Sequence, residues 1–122
     1  MTQTVQATRY RWDDLEIDRP MALLTRKRII GEQMMISHVL LEKGCTVASH
    51  AHENEQFACV VSGRIRFGLG DENSSDYEQV ELVAGEVLHL PSNVLHSAEA
   101  IEDTLILDLF SPPSEKTGID KN

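Results

Sequence analysis

The sequence GCTVASHAHENEQFACVVSG, residues 44–63, is the most informative stretch of the chain. His50 and His52 are two residues apart, so their imidazoles point to the same side of an extended strand. Gln56 has the same parity, and its side-chain oxygen could reach the same point. Imidazole is the commonest metal ligand in proteins, and two on one face are a natural start to a metal site. The stretch therefore predicts extended backbone that carries metal ligands.

A third imidazole comes further along the chain, where Gly85, Pro91 and His96 mark a second segment. Three imidazoles and one amide oxygen leave coordination positions open for water or substrate, as catalytic metal sites do. The alternative interpretation is that these are strand or surface histidines without a ligand. The histidine pair alone does not decide between the two, and the glycines that flank it favour the metal site.

Period-two patterns and turn residues dominate the rest of the chain. Residues 21–30 and 33–42 are branched apolar runs, and Gly31-Glu32 between them predicts a hairpin turn. Further strand-like runs, which alternate or are rich in apolar residues, occupy 55–62, 64–69, 77–83, 86–90, 94–100 and 103–110. Amphipathic helical periodicity over about 11 residues is absent. Many short strands separated by turns predict an all-β sandwich or small barrel.

The composition argues against several classes of partner. The chain has 122 residues, which is the size of one ordinary domain, and its 41% hydrophobic and 25% charged residues are typical of globular proteins. Lys and Arg total 11 against 20 Asp and Glu, giving a net charge of −9. That field repels phosphate backbones and anionic lipids, so we expect neither nucleic acid nor a membrane surface as a partner. A small acidic substrate would also be repelled unless a local positive centre attracts it.

The cysteines and the N-terminus predict a cytoplasmic location. No stretch reaches the roughly 18 apolar residues that a transmembrane helix needs. Residues 1–6 are polar and lack the apolar region of a secretory signal. Cys45 and Cys59 form no CxxC pair and are too few for a disulfide framework. We therefore expect a reduced protein with two inert thiols.

Two spaced motifs resemble those of the cupin superfamily. Gly44-x5-His50-x-His52-x3-Gln56-x6-Gly63 is similar to the first cupin motif, and Gly85-x5-Pro91-x4-His96 is similar to the second. The cupin pattern usually has glycine two residues after that proline, where this chain has Asn93, a residue that also tolerates a positive φ. The resemblance implies an all-β double-stranded β-helix, a jelly-roll barrel. With it, the chain divides into an N-terminal arm at 1–20, a cupin domain at 21–112 and a polar tail at 113–122.

The fourth position of the first motif departs from the common pattern, because cupins usually place glutamate where this chain has Gln56. A neutral ligand leaves the charge of a divalent metal uncompensated, which strengthens its attraction for an anion. The context HENEQ resembles small pectin-degradation cupins, which convert 4,5-unsaturated uronates to open-chain keto forms. The segment DLFSPP at 108–113 is similar to their terminal segment.

This resemblance implies the roles of six residues. The metal ligands are His50, His52, Gln56 and His96, and the active-site residues are Asp108 and Phe110. The metal would be one divalent transition ion, with Ni, Zn, Fe, Co and Mn all suited to such ligands. For Gln56 the alternative is a hydrogen bond to a ligating histidine, and for Asp108 the alternative to a catalytic base is a structural carboxylate.

One position breaks the resemblance. An arginine that follows the Pro-Pro pair in the subgroup helps to bind substrate, and this chain has Ser114 there. A hydroxyl does not replace a guanidinium that forks onto a carboxylate. Three explanations remain open. Arg64, Arg66 or Lys116 could serve instead, the substrate could differ, or the metal site could persist without the activity.

The function implied is that of a metal-dependent isomerase or tautomerase acting on a small anionic sugar acid. The alternatives are an Fe-dependent dioxygenase on the same fold and a non-catalytic cupin that binds a small molecule. The last strand also predicts a homodimer. Leu105, Leu107 and Leu109 share one of its faces and Ile106, Asp108 and Phe110 the other, so both faces are apolar, as in a strand buried on two sides.

Overall fold

The computed structural model describes residues 6–119, and the regular secondary structure in this part of the chain is almost entirely β-strand. A single 3₁₀ turn at Trp12–Asp14 comes first. The ten strands that follow are β1 (Asp18–Met21), β2 (Leu24–Ile30), β3 (Met35–Leu41), β4 (Thr46–His50), β5 (Glu55–Ser62), β6 (Arg64–Leu69), β7 (Glu78–Val83), β8 (Val87–Leu90), β9 (His96–Ala100) and β10 (Thr104–Ser111). Within the described residues, no helix is long and apolar enough to cross a membrane.

The strands form two antiparallel sheets that enclose one core. The larger sheet has the order β1-β2-β3-β10-β5-β8, and the smaller has the order β4-β9-β6-β7. Along β10, buried side chains alternate with half-buried ones, because successive residues of a strand face opposite sides. The inner faces supply the core, which includes Leu24, Val39, Val60, Ile65, Phe67 and Ile106. This is the predicted all-β jelly roll.

The predicted strand runs agree with the structure to within three residues at each end, and 55–62 and 64–69 agree at both ends. Two short strands were not predicted. β1 begins at Asp18, inside the segment expected to be the arm, and β4 is the mixed sequence TVASH, which pairs with the distant β9. Residues 1–5 of the predicted arm and 120–122 of the predicted tail lie outside the described residues.

The outer face of the larger sheet is apolar, as the pattern of β10 predicted. Leu107 is half-buried there, with Leu40 on β3 and Phe57 on β5 exposed on the same face. The N-terminal segment lies against part of this face. Trp12 packs on His38 with ring centroids 5.1 Å apart, and Lys27 donates a hydrogen bond to the main-chain oxygen of Trp12.

The turn between β5 and β6 requires glycine. Gly63 has φ +91°, and a Cβ built on it would lie 2.7 Å from the Thr104 Cα atom and would overlap the main-chain oxygen of Asp103. Gly85 has the same φ, with nothing within 4 Å of a built Cβ. Asn93, with φ +67°, adopts the left-handed conformation expected of it. The motif glycines are therefore backbone requirements, and Gly63 is a packing requirement as well.

We predict that Gly63→Ala destabilises the protein more than Gly85→Ala. Both substitutions place a side chain in left-handed backbone, which costs about 1–2 kcal/mol. Only the new side chain of Gly63→Ala also overlaps the main chain at Asp103 and Thr104, where β10 begins. This overlap costs about 1–3 kcal/mol more. The free energies of unfolding from urea titrations measure the difference, and equal losses in the two variants would contradict the packing argument.

Candidate metal centre

Three histidines meet at one end of the barrel. His50 ends β4 and His96 begins β9, and the two are direct register partners in the smaller sheet. His52 lies in the loop that leads to β5. One ligand nitrogen from each of the three rings can be chosen so that all lie within 4.8 Å of one another. The structure therefore brings together residues that the sequence separates by the whole of β5 to β8.

The main chain orients each imidazole. The Nδ1 atoms of His50, His52 and His96 lie 2.8, 3.0 and 2.9 Å from the main-chain oxygens of Ala48, Asn54 and Val94. A carbonyl oxygen only accepts, so each Nδ1 carries the proton and donates it. Each Nε2 then keeps its lone pair. In metal-binding histidines, the hydrogen bond donated by the other ring nitrogen fixes this same tautomer.

Two buried acceptors have no partner among the described side chains: His52 Nε2 and Gln56 Oε1. A buried acceptor without a partner costs about 1–3 kcal/mol. A cation among the three rings would give His52 Nε2 a partner, so the histidines fit a metal ion. The His50, His52 and His96 group is a candidate site for a divalent metal.

Gln56 and Asp108 form a buried pair beside the histidines. β5 pairs with β10 in antiparallel register, and Gln56 Nε2 donates to Asp108 Oδ1 over 2.9 Å. Donation through Nε2 leaves Oε1, the other end of the amide, without a partner. The amide nitrogen of Gln56 therefore bonds to a carboxylate and not to a histidine.

Burial changes the acidity of the site residues. It raises the pKa of Asp108 to about 7, although the hydrogen bond from Gln56 acts in the opposite direction. Burial also lowers the pKa of His96 to about 4, with the neighbouring His50 and His52 adding to the effect. His96 is therefore neutral near pH 7, as a metal ligand must be. A carboxyl that titrates near neutrality suits proton transfer in either direction.

Phe110 forms a wall of the site. It is buried, and its ring lies edge-to-face with His52 at a centroid distance of 5.7 Å. Phe110, Asp108 and Gln56 line a cavity of about 40 Å³ together with two of the histidines. The rest of the lining is the apolar core of the barrel, so water is largely excluded from one side of Asp108.

The cations proposed as substitutes for the missing arginine lie elsewhere. Arg64 and Arg66 are on the outer face of the smaller sheet, where both pair with Glu81. The first of the three open explanations therefore does not hold for Arg64 or Arg66, because strand parity turns both guanidinium groups away from the barrel interior. Lys116 is exposed, and the Ser114 hydroxyl donates to its main-chain oxygen.

The remaining histidines have other contacts. His38 packs against Trp12, and His89 lies 2.7 Å from a carboxylate oxygen of Glu55 while stacking on Phe57. Both are on the outer face of the larger sheet and neither belongs to the histidine cluster.

Sequence reasoning missed the contribution of the segment after β10. Thr117 is buried, Ile119 lines the cavity, and Gly118 lies directly on the ring of His50. These residues belong to the predicted polar tail. Their composition gave no signal, because only the path of the chain brings them to the site.

Comparison with known proteins identifies the family. The family model described as "Cupin domain" matches residues 37–111. The structure of KdgF from a Halomonas species is 25% identical, with a TM-score of 0.80, and the match covers 90% of this chain and 97% of that one. An RmlC-like cupin from Shewanella frigidimarina is 24% identical, with a TM-score of 0.79 and coverage of 90% and 95%.

A more distant match is the oxalate decarboxylase of Bacillus subtilis, a protein with Mn(II) centres. It is 20% identical, with a TM-score of 0.80, and the match covers 96% of this chain and 33% of that one. Comparison with curated protein sequences gives no match. Since the family model spans more than half of the sequence and the strands form the two-sheet jelly roll, the chain belongs to the cupin family.

Proposed function

We propose that this cupin is a metal-dependent isomerase that converts 4,5-unsaturated uronates, or related sugar acids, to their open-chain keto forms. The observation that carries the proposal is the buried Asp108, held by Gln56 at the edge of a three-histidine cluster. The resemblance of HENEQ and DLFSPP to the pectin-degradation cupins supports the substrate class. The structural similarity to KdgF, over 90% of this chain and 97% of that one, also supports the proposal.

The proposed ligands are the Nε2 atoms of His50, His52 and His96 and the Oε1 atom of Gln56. The ion would be a divalent Ni, Zn, Fe, Co or Mn, and it would supply Lewis-acid polarisation of substrate oxygens. All four ligands are neutral, so the ion's charge would attract a carboxylate into a protein of net charge −9.

Asp108 is the proposed proton carrier. Ring opening needs removal of the proton from the anomeric hydroxyl, cleavage of the bond between C1 and the ring oxygen, and delivery of one proton to the alkene carbon C4. One carboxyl group that first accepts and then returns a proton balances the reaction. Its raised pKa, caused by burial, keeps both forms accessible near pH 7. Phe110 contributes by keeping that carboxyl away from bulk water.

A non-catalytic cupin that binds a small molecule is the second candidate. The observation in its favour is Ser114, whose hydroxyl donates to the main chain of Lys116 and supplies no positive charge. An Fe-dependent dioxygenase on the same fold is the third, and its test is oxygen consumption by the iron-loaded protein.

We infer that the protein is a homodimer formed through the outer face of the larger sheet. The face presents the exposed Leu40 and Phe57 around the half-buried Leu107, so a second copy can bury the same apolar patch symmetrically. A cytoplasmic location is consistent with Cys45 and Cys59, which are both free thiols. Cys45 is buried and Cys59 half-buried, and burial raises the pKa of both.

We predict that His52→Ala lowers the affinity for Zn²⁺ by about 100-fold or more. Losing a residue that only hydrogen-bonds to a metal ligand already costs about 10–100-fold in affinity, and losing a ligand itself costs more. His89→Ala is the matched control, since that imidazole lies on the outer face. Calorimetric titration of the metal-free protein measures both affinities. Equal affinity in the two variants would show that the cluster is not the metal site.

Asp108→Asn should retain the metal and lose turnover by a factor of about 10²–10⁴, the usual contribution of a positioned acid or base. The assay follows loss of ultraviolet absorbance of a 4,5-unsaturated galacturonate with metal-loaded protein. Unchanged turnover in Asp108→Asn would refute the proposed mechanism.

The same assay with Ser114→Arg separates the candidate functions. Loss of absorbance with the wild type supports uronate conversion by the natural chain. Loss only with Ser114→Arg indicates a working scaffold adapted to another substrate. No loss with either protein would overturn the uronate proposal and favour the binding or dioxygenase alternatives.

For the dimer, Leu40→Lys should shift the protein towards monomer, because it places a charge within the proposed apolar interface. Thr46→Lys, at an exposed position of the smaller sheet, is the control. Light scattering after size-exclusion chromatography measures the mass. A wild type that is already monomeric at micromolar concentration would disprove the interface.

A further inference from the structure

The segment that follows β10 runs back across the mouth of the barrel, and we call residues 112–119 the C-terminal strap. It is attached at several points along its length. The side-chain amide of Asn54 donates to the main-chain oxygen of Pro112, and Arg28 Nη1 donates to the main-chain oxygen of Glu115 over 2.7 Å. Beyond these contacts, Thr117 is buried with only 4% of its surface exposed.

The strap contacts the histidine cluster at His50. Gly118 has φ +92°, and a Cβ built on it would overlap the His50 ring and lie 2.5 Å from its Nε2 atom. Nε2 is the atom that would bind the metal. The main chain of the strap therefore packs against the His50 ring beside Nε2, and no residue larger than glycine fits there.

The space left beneath the strap is small. The cavity lined by the site residues, Thr117 and Ile119 measures about 40 Å³. One water needs roughly 10–15 Å³ on such a measure, so the cavity holds a few waters and no sugar ring. A uronate therefore does not fit into this cavity while Thr117 and Ile119 line it.

Arg28 links the strap to the sheet. It pairs in register with Ser37, which pairs with Asp108, so Arg28 lies in the same cross-strand row two strands from the carboxylate. Two strand spacings are about 10 Å. Its side chain is 21% exposed, and Nη2 forms an ion pair with Asp18 Oδ2 at 3.7 Å, which is beyond hydrogen-bond length.

The bond from Arg28 to the strap is exchangeable. Its acceptor is a neutral main-chain oxygen, whereas a carboxylate would accept charge-assisted bonds from the same guanidinium, which are roughly twice as strong. The planar fork of arginine also matches both oxygens of a carboxylate. An anionic ligand at the mouth of the barrel would therefore compete directly with Glu115 for Arg28.

We propose that the C-terminal strap is a gate over the histidine cluster, latched by Arg28, and that the carboxylate of an anionic ligand opens it by taking the Arg28 donors from Glu115. Arg28 then becomes the residue that selects for a carboxylate, in place of an arginine at position 114. The gate follows from the contacts of the strap alone, while the identity of the ligand rests on the proposed function.

The gate is tested without ligand on the Zn²⁺-loaded full chain. Two rates report opening: trypsin cleavage after the exposed Lys116, followed by mass spectrometry, and release of Zn²⁺ to a chelator. Gly118→Ala cannot close on His50, and Arg28→Gln loses the latch. We expect both rates to rise about tenfold in each variant, the effect of losing one hydrogen bond to a charged group.

Two matched controls accompany these variants. Gly70→Ala has nearly the same φ, +90°, with nothing within 4 Å of the added Cβ, and Arg64→Gln removes a guanidinium on the outer face. Both should keep wild-type rates. The gate is overturned if Gly118→Ala and Arg28→Gln also release Zn²⁺ and are cleaved at the wild-type rate.

The latch is tested by adding saturated galacturonate or its neutral counterpart galactose. Galacturonate should speed cleavage after Lys116 in the wild type and have no further effect in Arg28→Gln, and galactose should have no effect in either. Equal effects of the two sugars, or no effect of galacturonate, overturn the latch. Turnover of the unsaturated uronate without strap opening also contradicts it, whereas opening by galacturonate without turnover contradicts only the proposed reaction.

Discussion

The antiparallel pairing of β10 between β3 and β5 is the interaction on which the site depends. It holds the C-terminal strand of the barrel against the strand that follows the HxH segment, with Asp108 opposite Ser37 on one side and Ala58 on the other. Because inward-facing residues alternate along both strands, the pairing puts Asp108 within 2.9 Å of the Gln56 amide. The same pairing buries Asp108 between Ile106 and Phe110, and this burial raises its pKa. One register therefore sets both the position and the acidity of the carboxyl group.

Charge at the barrel mouth opposes the charge of the whole molecule. The chain carries a net charge of −9, yet the proposed ligands are three neutral imidazoles and an amide. A divalent ion held by such ligands would be a concentrated positive centre in a largely apolar cavity, where electrostatic attraction is strong. Arg28 adds a second cation at the rim. Arg64 and Arg66 do not contribute, because their ion pairs with Glu81, Glu99 and Glu102 cover the outer face of the smaller sheet.

Local patterns predicted most of the strands and missed β1 and β4, whose own sequences do not favour a strand. β5 and β6 alternate clearly and end at Gly63, so their bounds could be predicted from the sequence. β4 has only Val47 buried among five residues and forms because β9 pairs with it. β1 contains proline and charged residues and forms at the edge of the sheet, where one side of the strand needs no partner. The tail was predicted only as polar, although Thr117 and Ile119 close the cavity.

The sequence by itself determined the all-β class, because two-residue periodicity is a local property, and its two cupin-like motifs implied the jelly roll and the proposed ligand set. His50 ends β4 and His52 lies two residues later in the loop, and Gly63, Gly85 and Asn93 supply the positive φ values that the turns need. The tertiary structure alone decided which groups surround those ligands. The hydrogen bond between Gln56 and Asp108, the inward face of Arg28 and the contact of Gly118 with His50 join residues far apart in the chain. Such contacts follow from strand register and from the path of the backbone, which no local pattern of residues encodes.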